Sequence, residues 1–223
     1  METKYKIGYI DEDINQVKKY QRRFREFGIQ VIGYEFRKGM TLDELMEQVY
    51  NSEIDLLMID YRLNETNQVT FNGEAVENVF YEKRPLFPHI IFTNKKEQAE
   101  PFVEDWKIIF DKDEIFNDDE EDDNKVQHFI TTLIKSIEQY KSYVDKKKNT
   151  ISELLVKGEN EGLNASEQDT LISLQRELRD LDKTKTKEIP EKLISVEQIE
   201  DLSKTRKEAE EFLQSLIEKN REK

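Results

Sequence analysis

Four places in the first half of the chain put a reactive side chain just after a short apolar run. Ile7-Gly8-Tyr9-Ile10 ends in Asp11-Glu12-Asp13, and the run from Ile54 to Ile59 delivers Asp60. Ile90-Ile91-Phe92 ends in Thr93, and Ile108-Ile109-Phe110 is followed by Lys112. Carboxylates held together repel one another and favour a hard cation. Mg²⁺ takes oxygen ligands in octahedral geometry and keeps several of its waters. A cation in such a cluster would neutralise an incoming phosphoryl group, which Asp60 could attack to give an aspartyl phosphate. A hydroxyl and an ammonium suit the new phosphoryl oxygens. Taken singly, each residue has a plainer reading, since an Asp after a strand is commonly a helix cap or turn residue. The specific signal is the joint order of acids, lone Asp, hydroxyl and Lys.

These residues need elements that bring them together. The apolar runs have strand length, and helix-like stretches separate them. Alternating βα units build a parallel sheet covered on both faces, a doubly wound α/β fold. Ligands of such sheets bind outside the carboxyl ends of the strands. Asp11, Glu12, Asp60, Thr93 and Lys112 would therefore converge on one edge.

Over residues 4–140 this order resembles the receiver (CheY-like) domain of response regulators in two-component signalling, with a five-stranded, flavodoxin-like sheet. The resemblance implies that Asp60 is the phosphoacceptor. It also implies Mg²⁺ held by Asp11, Glu12, Asp60 and the backbone carbonyl of Arg62, with Thr93 and Lys112 on the phosphoryl oxygens. The implied partner is a histidine kinase or phosphotransfer protein, and the chemistry extends at most to autophosphorylation and autodephosphorylation. Several positions depart from the family pattern. Asp113 follows Lys112 where Pro is usual, Ile109 stands where Tyr or Phe is usual, and Asn64 replaces a Pro after Asp60. The stretch between Thr93 and Lys112 is short and holds Pro101, which predicts a stunted fourth helix.

Composition sets outer limits. The 223 residues suffice for one such domain and a smaller second unit, here expected as residues 1–140 and 141–223. The absence of Cys excludes disulfides and thiol chemistry and fits a cytoplasmic protein. No apolar run approaches the ~18 residues of a membrane span, and no export signal is read at the N-terminus. His89 and His128 are the only histidines, which argues against a His-based metal cage. Residues 1–124 hold 16 Lys/Arg and 29 Asp/Glu, a balance of −13 within a chain total of −14. The remainder is nearly neutral, so neither half has the basic footprint of a nucleic-acid binder. Lys18, Lys19, Arg22, Arg23 and Arg25 cluster on the first helix, as a solvated face or as a dock for an acidic partner. Asp118 to Asp123 is an unbroken acidic run, which self-repels and favours a loose loop.

From Phe129 the apolar period becomes helical. Ile130, Ile137, Val144 and Ile151 recur every seven residues, with Leu133, Tyr140 and Leu154 complementary and Lys147 as the polar exception. The spacing predicts a long helix ending near Lys157, a turn over Gly158 and Gly162, and a helix capped by Ser166 with Leu171, Leu174, Leu178 and Leu181 in its seam. After Pro190, Ser195 to Gln198 reads as a capping box for a last helix carrying Ile199, Leu202, Ala209, Phe212, Leu213 and Leu216. Such an arm suits a protein partner or a homodimer. The alternative to a phosphorylated receiver is a pseudo-receiver scaffold that assembles a complex without phosphorylation. A phosphate-ester hydrolase fits less well, because Arg62 stands where a second acid would be needed.

Overall fold

A computed structural model describes residues 3–116, 123–184 and 193. Five strands form one parallel sheet: β1 (Tyr5–Ile10), β2 (Ile29–Gly33), β3 (Leu56–Ile59), β4 (His89–Thr93) and β5 (Ile109–Asp111), in the order β2-β1-β3-β4-β5. This is the flavodoxin-like order of a doubly wound fold. The chain leaves β1 towards β2 and returns on the other side as β3, so the strand order reverses between β1 and β3. That switch point is where such sheets open a crevice at their carboxyl ends. The register pairs Ile10 with Ile59, and the two residues that follow are Asp11 and Asp60.

The intervening helices are α1 (Ile14–Arg25), α2 (Leu42–Asn51), α3 (Gly73–Lys83), α4 (Lys96–Ala99) and α5 (Lys112–Ile115), then α6 (Asp123–Asn160) and α7 (Ala165–Leu181). The expected stunting of the fourth helix is present, since α4 is a single turn. Strand side chains alternate between faces. Tyr5, Ile7 and Tyr9 of β1 join Val17, Tyr20 and Phe24 of α1 and Phe129, Ile130, Leu133 and Ile137 of α6 in one core. Its centre is aromatic, with Tyr20 edge-on to Phe92 at 4.9 Å and Phe92 stacked on Phe129 at 5.4 Å. Buried Val76 and Phe80 on α3 mark a second apolar layer.

Compactness divides the chain into Met1–Asp145 with Leu181–Thr186, and Lys146–Asp180 with Lys187–Lys223. The boundary expected at residue 140 falls inside α6. In the first unit, α6 is tied to the sheet by Tyr5 Oη donating to Glu138 at 2.6 Å and by Lys141 paired with Asp55 at 2.6 Å. Segment 181–184 belongs to this unit: Leu181 and Asp182 are buried, and the Lys183 N–H donates to the Lys83 carbonyl at 3.0 Å.

In the second unit the seam differs from the sequence expectation at three points. The helix runs to Asn160 rather than stopping near Lys157, and Gly158 is helical; only Gly162, at φ +78°, takes the left-handed turn. Asn164 rather than Ser166 caps α7, accepting from the Glu167 N–H at 3.0 Å while Glu167 accepts from the Asn164 N–H at 3.0 Å. Leu171, Gln175 and Leu178 form the buried line, whereas Leu174 is half-buried. The inward spacing is four then three rather than three then four, which puts position 175 instead of 174 on the buried line. Of the seven-residue series, Ile130, Ile137 and Val144 are buried in the first unit and Ile151 in the second, where Lys147, the polar exception, pairs with Glu177. Residues 118–122 of the acidic run, Pro190 and the expected last helix from Ser195 lie outside the described residues.

Candidate functional site

Each acid at the switch point is fixed by its own backbone neighbourhood. The Asp60 N–H donates to the Ile10 carbonyl at 2.8 Å, continuing the β1–β3 pairing one residue past the strands. Its Oδ2 accepts from the Arg62 N–H at 2.8 Å. Asp11 Oδ1 accepts from the Asp13 N–H at 2.9 Å, and Asp13 itself caps α1 through the Asn15 N–H at 2.9 Å. The third acid of the cluster is therefore spent on the helix start. Gly73 opens α3 hard against the phosphoacceptor candidate: a Cβ there would stand 2.2 Å from the Asp60 carbonyl oxygen. No other residue type fits without moving that backbone.

Lys112 reaches into the acids from the far side. Its Nζ donates to Asp60 Oδ1 at 2.6 Å and to Asp11 Oδ2 at 3.0 Å. The same ammonium lies 5.5 Å from the Tyr9 ring centre and 5.7 Å from that of Phe92, an aromatic floor that suits a cation. Lys112 is aimed by the start of α5, where Asp111 Oδ1 accepts from the Asp113 N–H at 2.8 Å and the Glu114 N–H at 3.1 Å. A Pro at 113 has no N–H to give, so the departure at that position is used locally. Arg62 turns its side chain away, with Nε donating to Gln98 Oε1 of α4 at 3.0 Å. Thr93 is fully buried at the end of β4, and its Oγ1 accepts from the Lys95 N–H at 3.2 Å. The next residue, Asn94, lines a cavity of ≈ 200 Å³ with Asp11, Glu12, Asp60, Arg62 and Lys112.

Charge is unbalanced here. Burial pushes the Asp60 carboxyl above its ordinary range; Lys112 pulls it back and Asp11 adds to the rise. Lys112 is buried, which opposes its charge, yet the Asp60 and Asp11 carboxylates outweigh this and raise its pKa. Glu12 is pushed up to about 7 by burial, with Asp11, Asp60 and Glu65 adding repulsion against a backbone hydrogen bond that opposes the rise. Its Oε2 is buried and has no hydrogen-bond partner among the described residues.

The donor set suits a hard divalent cation by its chemistry. It is all oxygen, carries excess negative charge, and includes that orphaned buried oxygen. Asp11 and Asp60 converge on Lys112, with Glu12 beside them in the same cavity. Among the described residues no group of three or more His, Cys, Asp or Glu is placed to hold a metal ion. Sequence reasoning missed Tyr9 and Gly73. Tyr9 sits two residues before Asp11 on the same side of β1, which the period of two reveals. Gly73 as the first residue of a helix signals a close backbone approach.

No protein-family model matches the chain, and no curated protein matches it. Among solved structures the first 60% or so of the chain is similar to receiver domains. A response-regulator receiver domain from Francisella is 15% identical, with 61% of this chain and 98% of that chain covered and a TM-score of 0.42. The response regulator TrrA from Thermotoga maritima, solved with Mg²⁺ and BeF, is 15% identical, with 58% and 99% covered and a TM-score of 0.42. A CheY-like receiver protein from Methanospirillum hungatei is 14% identical, with 60% and 98% covered and a TM-score of 0.42. The strand order and connections of the sheet carry the fold assignment by themselves. Among the described residues no helix is long and apolar enough to cross a membrane.

Proposed function

We propose that this chain is a cytoplasmic receiver of two-component signalling that takes a phosphoryl group on Asp60 with the help of Mg²⁺. The observation that carries the reading is the Lys112 ammonium between Asp60 and Asp11 at the switch point of the sheet. Asp11, Glu12, Asp60 and the Arg62 carbonyl would hold the cation, which supplies charge neutralisation for an incoming phosphoryl group. A carboxylate oxygen of Asp60 attacks phosphorus. The bond to the leaving group breaks, and its electron pair departs with the histidine nitrogen of a kinase or phosphotransfer protein, or with acetate when acetyl phosphate is the donor. Lys112, on the neighbouring side of Asp60, follows the new oxygens, and the Thr93 hydroxyl would do the same after leaving the Lys95 N–H. The helical arm passes the change to a protein partner or a second copy of the chain.

A scaffold that works without phosphorylation is favoured by one observation. Lys112 already gives Asp11 and Asp60 an internal counterion. Incubation with acetyl phosphate and Mg²⁺, read by intact-mass spectrometry, separates the two. One phosphoryl adduct that disappears in Asp60→Asn supports the receiver. No adduct, under conditions where Mg²⁺ binds, leaves the scaffold. An adduct that survives Asp60→Asn refutes the site assignment.

A further inference from the structure

Tyr9 is fully buried in β1, with its ring edge-on to Tyr20 at 5.7 Å and against Phe92 at 6.1 Å. A Phe would pack in that place equally well, so apolar packing does not account for the hydroxyl. Its hydroxyl donates to Asp11 Oδ2 at 2.5 Å. The same oxygen accepts from Lys112 Nζ at 3.0 Å, while Asp11 Oδ1 accepts from the Asp13 N–H at 2.9 Å. An ionised carboxylate oxygen offers two lone-pair directions. Oδ2 therefore has both taken, and Oδ1 has one left.

We infer that Tyr9 is a positioning residue that decides which oxygen of Asp11 meets a cation. Its hydroxyl and the Lys112 ammonium together fill Oδ2, fix the carboxylate plane, and leave Oδ1 as the open ligand. This inference rests on the reading of Asp11 as a metal ligand. Tyr9 acts through Asp11 and does not itself touch the cation. Partners that orient a metal ligand through a hydrogen bond change affinity by about 10–100-fold when removed.

The test is Tyr9→Phe in the full chain, a change that keeps the ring and removes the donor. Mg²⁺ is titrated by calorimetry, and the acetyl phosphate reaction is followed across Mg²⁺ concentrations. The expected result is Mg²⁺ affinity weaker by about 10-fold, with the phosphorylation rate restored at saturating Mg²⁺, a split that general damage to the fold would not produce. Wild-type binding that survives Tyr9→Phe unchanged overturns this inference alone. No Mg²⁺ binding by the wild type overturns the metal reading and this inference with it. A double-mutant cycle of Tyr9→Phe and Asp11→Asn, read by melting temperature in EDTA, checks the contact itself. Non-additive shifts are expected, and strictly additive shifts would overturn the proposal.

Discussion

The edge of the sheet and the helical hairpin treat charge in opposite ways. In the hairpin, the charged intrusions are answered by partners, whereas the buried Gln175 amide has no hydrogen-bond partner among the described residues. Lys147 in the seam has Glu177, Lys157 has Glu167 at 2.5 Å, and Asn164 and Glu167 cap each other. The Glu167 and Glu177 carboxyls are accordingly held below their usual range, first by their Lys hydrogen bonds. At the sheet edge, Asp11 and Asp60 share one Lys with Glu12 beside them in the same cavity, and burial drives Asp60 and Glu12 upward. Local choices that agree with the fold mark regions selected for stability, whereas local conflicts collect where a protein acts. The hairpin lowers the free energy of the fold, and the edge holds uncompensated charge that a ligand can relieve.

The largest effect should come from Lys112→Met. It leaves two buried carboxylates facing each other, and breaking a buried charge pair costs about 3–5 kcal/mol. Chemical denaturation should show that loss in EDTA; a loss near zero would mean the acids are not held ionised together. Ile151→Ala, in the hairpin seam, should cost about 2–5 kcal/mol by cavity formation, while leaving Mg²⁺ affinity at the sheet edge unchanged. A change in that affinity would break the separation of the two regions. Asn164→Ala removes a helix cap and should cost about 1 kcal/mol, visible as a lower melting temperature of the full chain.

The smallest effect is a dependence on pH. Glu12 loses its proton near 4.5 when unfolded and near 7 when folded. Between those values the folded state binds more protons, so stability falls as pH rises through that window and levels off above it. Glu12→Gln should flatten the fall in melting temperature between about pH 5 and pH 8. An identical slope in wild type and variant would remove Glu12 from the strained set.

Much of the edge was legible before any coordinates. Asp11, Asp60 and Lys112 each end an apolar run of strand length, and a parallel sheet places all such ends on one edge. Tyr9 was hidden because a Tyr inside an apolar run reads as core, which its ring is; only its hydroxyl belongs to the site. Thr93 was legible as the residue that ends β4, but its engagement with the Lys95 N–H depends on a loop that periodicity does not describe. The heptad anticipated the buried face of α6 in both units, whose line from Ile130 to Ile151 keeps its spacing of seven. It missed Gln175, because the leucines at 171, 174, 178 and 181 select the register with 174 inward, while the buried line takes the equally spaced register with 175 inward. Asn164 and Ser166 are both good caps, and the choice between them depends on where the chain turns, which Gly162 fixes through its positive φ.

The central claim is that Asp60 sits at an edge kept short of positive charge so that a cation and a phosphoryl group can bind there. Thermal melting of wild type and Asp60→Asn, each in EDTA and in Mg²⁺ at about 10 mM, the range of a weak carboxylate site, tests it most directly. Burial and the Asp11 charge disfavour the Asp60 carboxylate, so Asp60→Asn, which removes it, should melt higher than wild type in EDTA. Mg²⁺ should raise the wild type and leave the variant nearly unmoved. A variant that melts lower than wild type, with Mg²⁺ shifting neither protein, would contradict the account.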